Sequence, residues 1–179
     1  MTKKSKIIIF SSIGLVFILA LTTFLVFWIP PKKDNYRLSI VEIGWMEQDT
    51  NGNKTSKYVK PEENEVCEIP LGISINFYSH LLNSSKRKQV ISFEGENVIR
   101  TKIFRGNEVV AETENTDTKT HTLEFMNVLP GFSNCAVEAD CFVYAFMEAG
   151  SYTIVAESAF TQKWKSYSYQ TKPITVVVK

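Results

Sequence analysis

Residues 7–29 read IIIFSSIGLVFILALTTFLVFWI, 23 positions without a charge, preceded by Lys3, Lys4 and Lys6 and closed by Pro30-Pro31. A helix needs ~20 apolar residues to cross the hydrocarbon of a bilayer, and this run has that length. A cleaved secretory signal has a shorter apolar core of ~7–15 residues and ends at a small-x-small site. Here the run ends in Phe27-Trp28-Ile29, and no cysteine lies in it or just after it to take a lipid. The sequence therefore predicts an uncleaved transmembrane helix. Trp28 falls where that helix would leave the hydrocarbon, a depth that favours an indole. Lys32, Lys33 and Arg37 on the far side nearly balance the leading lysines. A short basic tail normally stays in the cytoplasm, which places the N-terminus inside and the remainder outside. The expected organisation is a basic cytoplasmic tail over 1–6, a cell-membrane span over 7–29, a linker over 30–35 and an extracytoplasmic domain over 36–179.

That domain is long enough to enclose a core of its own. Three of the 20 basic residues precede the span, so the rest carries 17 against 19 acidic ones, a net charge near −2. Nucleic-acid binders show a clear basic excess, so that partner class is not expected. The one basic cluster, Lys86-Arg87-Lys88, reads as a solvated turn. Three cysteines do not make a disulfide framework by count. Cys135 and Cys141 enclose only Ala-Val-Glu-Ala-Asp, a loop that a local bridge can close, and an oxidising compartment favours it. Cys67, in Val66-Cys67-Glu68-Ile69, reads as a buried thiol first and as an intermolecular bridge second. These cysteines with His80 and His121 do not match zinc-site spacings, and neither metal nor cofactor is expected.

After the span the pattern turns to period two and stays there. Tyr36 to Trp45 alternates with one slip at Val41. Asp49-Thr50-Asn51-Gly52-Asn53 then gives the strongest short hairpin signal, and Tyr58-Val59 begins the return. Further strands are expected at Val66–Ile69, Gly72–Tyr78, Val90–Phe93, Val98–Phe104, Val109-Val110, His121–Val128, Phe142–Phe146, Ser151–Ala156 and Ile174–Val178. Turns separate them at Asn83-Ser84-Ser85, Glu94-Gly95-Glu96-Asn97, Arg105-Gly106-Asn107-Glu108 and Glu148-Ala149-Gly150. Asn134 to Cys141 has room for one helical turn. Many short strands at this spacing indicate an antiparallel sandwich.

The last forty residues carry a resemblance. Phe142-x-Tyr144-x-Phe146-x-x-x-Gly150-x-Tyr152-x-Ile154-x-Ala156, with Lys172-Pro173-Ile174-Thr175-Val176-x-Val178, is similar to the closing strands of immunoglobulin-like and PKD-type modules. The resemblance implies an Ig-like β-sandwich with Gly150 at a tight turn; it implies no function. The Cys-Trp-Cys arrangement of antibody domains is missing from the sequence.

Catalytic patterns find little purchase. A sortase-type Cys–His–Arg site would have to use Cys141 and His121, yet the sequence lacks the Thr-Leu-x-Thr-Cys strand end and any arginine after Cys141. A signal-peptidase serine finds no counterpart near the outer end of the span. Asp49-Thr50-Asn51-Gly52-Asn53 starts like a calcium loop, but position twelve is Lys60 where a bidentate acid is required. Asn53-Lys54-Thr55 and Asn83-Ser84-Ser85 fit the glycosylation acceptor pattern. The stretch Phe160 to Tyr169 is different. Lys163, Trp164, Lys165 and Tyr167 form an aromatic and basic group in a segment linking the last two strands, suited to contact with a partner or a membrane. The expectation is a membrane-anchored, non-enzymatic interaction module that binds a protein partner, as part of or next to a cell-envelope assembly. A spacer or adhesin-like module is the alternative, and a Cys-dependent enzyme of sortase type comes last.

Overall fold

A computed structural model describes residue 14 and residues 16–25, 32–61, 66–84, 89–115, 117–125 and 136–179. The chain divides into two units, Met1–Pro31 and Lys32–Lys179. In the first, residues 16–25 are helical and their large apolar side chains are exposed. Thr22 and Thr23 donate their hydroxyls to the carbonyls of Ile18 and Leu19, so both are satisfied inside the helix without water. Among the described residues no helix is long and apolar enough to cross a membrane. The rest of the expected span lies outside the described residues.

The second unit is all-β. A short 3₁₀ turn, Lys33–Asn35, leads into β1 (Tyr36–Gln48), followed by β2 (Lys54–Val59), β3 (Val66–Ile69), β4 (Ser74–Asn83), β5 (Gln89–Glu94) and β6 (Ile99–Arg105). Then come β7 (Glu108–Glu112), β8 (Thr120–Phe125), β9 (Ala136–Ala145), β10 (Gly150–Gln162), β11 (Lys165–Gln170) and β12 (Ile174–Val178). The first sheet runs β2-β1-β4-β9, all antiparallel. The second runs β3-β12-β10-β5-β8, with β11 and β6 also on β10 and β7 on β6.

Strand β10 organises the second sheet. One edge pairs first with β12 and then with β11; the other pairs with β6 and, at Thr161, with β5. Thr171 to Pro173 interrupt the β11–β12 edge, since proline has no N–H for the ladder. Thr171 bridges the gap by donating its N–H to Ala156 O at 2.9 Å and accepting the Ala156 N–H on its hydroxyl at 3.0 Å. Strand β3 lies parallel to β12.

Period two dictates which side chains meet. Ile43, Ile75, Phe77, Leu81, Ile91, Ile103, Ile154 and Val176 are wholly buried between the sheets, each contributing ~1.5–3 kcal/mol by leaving water. The expected slip in β1 is a β-bulge between Ile40 and Glu42, which keeps Leu38, Ile40, Ile43 and Trp45 inward. Gly52 turns the β1–β2 hairpin at φ +86°, where a side chain is disfavoured.

Two expectations are corrected. Ala136 to Cys141 form no helical turn; they begin β9, held in register against β4 from Asn83 to Ser74. The stretch after Phe160 is a hairpin of its own, in which β11 turns back on β10 after Lys163-Trp164.

Candidate functional site

Aromatic side chains gather at the end of the sandwich where the chain enters β1. The Tyr36 ring lies 5.0 Å from Phe160, 5.5 Å from Tyr167 and 6.1 Å from Tyr169, centroid to centroid. Its hydroxyl donates to Gln162 Oε1 at 2.8 Å, and Gln162 in turn donates its amide N–H to Gln89 Oε1. Burial, then the neighbouring Tyr167 and Tyr169, push the Tyr36 phenol far above its ordinary range, so it remains a donor. Tyr169 donates to the Lys33 carbonyl at 2.9 Å. Ser84 donates its N–H to Asn35 O at 2.8 Å, so both ends of the β4–β5 connection lie at this pole. Lys86-Arg87-Lys88, within that connection, lie outside the described residues.

This geometry sorts the residues nominated from sequence. Trp164 is 59% exposed at the β10–β11 turn and flanked by exposed Lys163 and Lys165. Tyr167 is 4% exposed and belongs to the buried aromatic cluster, so it supports the turn and offers no outer surface. Lys165 Nζ stands 5.3 Å from the Tyr167 ring centroid, and Lys33 Nζ 5.8 Å from that of Tyr169. Lys163 has φ +56°, the only non-glycine residue at positive φ among the described residues.

A second surface was not legible from any one segment. On the outward face of the first sheet, Tyr58, Gly44, Asn76 and Val143 form one register row across all four strands. Glu42, Tyr78 and Cys141 form the next row. Tyr58 is 63% exposed, Val143 52% and Met46, on the same face, 46%. The Tyr78 ring lies beside Gly44, its edge 3.7 Å from where a Cβ would stand, an ordinary contact distance. Burial, offset by a hydrogen bond with Tyr78, pushes the Cys141 thiol up, which keeps it protonated and weakly nucleophilic near neutral pH. Cys135, its expected bridge partner, lies outside the described residues. Cys67 is buried on β3 at 2% exposure.

Cys141 and His121 occupy separate places. Cys141 faces outward, between Asp140 and a Phe142 that packs towards the core. His121, on β8, stacks on Phe93 and has Nε2 3.0 Å from Asp117 Oδ2. The Lys119 backbone N–H and then His121 hold the Asp117 carboxyl below its usual range. Among the described residues no group of His, Cys, Asp and Glu side chains is placed to hold a metal. On the outer face of the second sheet, a groove of about 330 Å³ opens beside Ser92, Glu94, Arg100, Thr120, Thr161 and Ser166. It follows the handover of β10 from β6 to β5. No protein-family model matches the chain, and no curated protein matches it.

Proposed function

We propose that this chain is a single-pass membrane protein, N-terminus in the cytoplasm, whose extracytoplasmic Ig-like sandwich works by binding another protein of the cell envelope. The observation that carries the binding role is the outward face of the first sheet, where Tyr58, Met46 and Val143 are exposed together and Glu42 is the one charged residue in the two rows. Tyrosine and methionine are enriched in interface cores and charge is depleted there. The anchor rests on the uncharged run 7–29. The Ig-like reading draws support from the parallel β3–β12 pair and from the Gly150 turn into β10, with φ +148°.

Site-specific photocrosslinking in native membranes tests the binding role. A photoreactive residue at Tyr58 or Val143 is expected to give one discrete protein adduct, and the same residue at Ser168, on the outer face of the second sheet, none. Equal yields from all three positions, or none from any, favour the spacer alternative.

A further inference from the structure

We infer that the pole formed by the start of β1 and the β10–β11 turn seats on anionic lipid headgroups, with Trp164 at the membrane interface, Lys163 and Lys165 beside it, and Lys33 where the chain enters β1. This rests on the anchoring of residues 7–29 and concerns a different surface from the protein-binding face.

Chain connectivity supplies the first argument. The expected span ends at Ile29 and β1 starts at Tyr36, so the six linker residues reach at most ~20 Å. The hydrogen bond from Tyr36 to Gln162 ties that entry point to the end of β10, one residue before the turn. Tyr169 on Lys33 ties the linker itself to β11. Whatever holds the linker near the bilayer holds the turn near it too.

Side-chain chemistry supplies the second. An exposed indole is stabilised at the headgroup level, where its ring is half dehydrated and its N–H still finds partners. Lysines beside it lie within a Debye length of anionic headgroups and are attracted to them. The cations of the opposite pole are arranged otherwise: Arg105 pairs with Glu148, and Lys179 with Glu68. At the β1 pole, Lys33 and Lys165 instead rest over tyrosine rings.

Backbone conformation supplies the third. Lys163 occupies a positive-φ turn position that glycine would take without strain. That turn holds Lys163 and Trp164 beyond the last rung of the ladder, Gln162 opposite Lys165, with both side chains exposed.

The test uses the full chain with Trp28→Phe, reconstituted in phosphatidylcholine vesicles with or without about 30% phosphatidylglycerol. Phosphatidylcholine brominated near the headgroup quenches interfacial indoles in either leaflet, and the Trp164 signal is the difference from a Trp164→Phe partner. Quenching of that signal is expected to rise about threefold with phosphatidylglycerol, and Lys163→Gln with Lys165→Gln to abolish most of the rise. A Trp164 signal that brominated lipid never quenches overturns the inference, as does a rise that survives loss of both lysines. Alkaline carbonate distinguishes the two levels: release of the protein overturns the anchor as well, while retention with an unquenched Trp164 overturns this inference alone.

Discussion

The Tyr36 hydroxyl donates to Gln162 Oε1 at 2.8 Å across 126 residues of sequence, inside a pole that also buries the rings of Phe160 and Tyr167. Since Gln162 passes the interaction on to Gln89, three strands share one buried polar chain. A buried acceptor deprived of its donor costs ~1–3 kcal/mol. Tyr36→Phe is therefore expected to lower the unfolding free energy of the sandwich by that amount, read as a lower urea midpoint with little change of slope. A Gln162→Leu, Tyr36→Phe double variant should be less destabilised than the two single losses added together, because the orphaned acceptor is removed. Strict additivity would mean the hydrogen bond contributes nothing.

Asp140 gives the sandwich a pH dependence of known sign. It lies opposite Ser79 in the β4–β9 register, and its Oδ2 and the Ser79 hydroxyl have no hydrogen-bond partner among the described residues. Burial raises its pKa, against a smaller lowering by the Cys141 backbone N–H. The folded state thus holds this proton more tightly than the unfolded chain, whose aspartates titrate near ~3.9. Stability then falls as pH rises from the unfolded value through the raised folded one, and the penalty is complete above it. Asp140→Asn is expected to raise the thermal midpoint at pH 7 and to leave it nearly unchanged at pH 3. Equal effects at both pH values would remove the carboxylate from the explanation.

Lys163 separates stability from function. Lys163→Gly relieves a positive φ and is expected to stabilise the sandwich by ~1 kcal/mol in chemical unfolding, while weakening the Trp164 signal from lipid. A loss of stability would show that the lysine side chain holds the turn together, and its place in the lipid contact would need another explanation.

The cysteines separate by environment. Cys141 is a free, exposed thiol in the structure; in protein recovered from an oxidising compartment, non-reducing peptide mapping is expected to find it bridged to Cys135. Cys67, at 2% exposure, should react with maleimide only after unfolding. A bridge involving Cys67 would tie β3 to a distant strand and contradict the local pairing.

Most strands were readable because one face of each is apolar at period two: Val66–Ile69 is β3 end to end, and the slip at Val41 is the β1 bulge. The pattern faded where polar residues point inward. Ser79 and Asn83 are buried on β4, so its second half went unread. The inward Asp140 likewise hid the first half of β9, which read as a helical turn. Strand β11 was hidden by a Ser–Tyr alternation, in which Tyr167 and Tyr169 pack on Phe160 while Ser166 and Ser168 face water. The exposed Trp164 and its lysines were legible from a single segment. The row Tyr58–Gly44–Asn76–Val143 was not, because it exists only through the register of four strands distant in sequence.

Anchoring of the sandwich outside the cytoplasm by residues 7–29 is tested most directly by labelling from the two sides of the membrane. In a Cys135→Ser, Cys141→Ser background that leaves only the buried Cys67, one added thiol at Ser5 or at Ser168 reports its side of the membrane to an impermeant maleimide applied to intact cells. The expected result is labelling at Ser168→Cys, none at Ser5→Cys until the cells are permeabilised, and retention of both proteins in the membrane after alkaline carbonate. Labelling at Ser5→Cys with protection of Ser168→Cys would invert the topology, and release of the protein by carbonate would contradict the anchor itself.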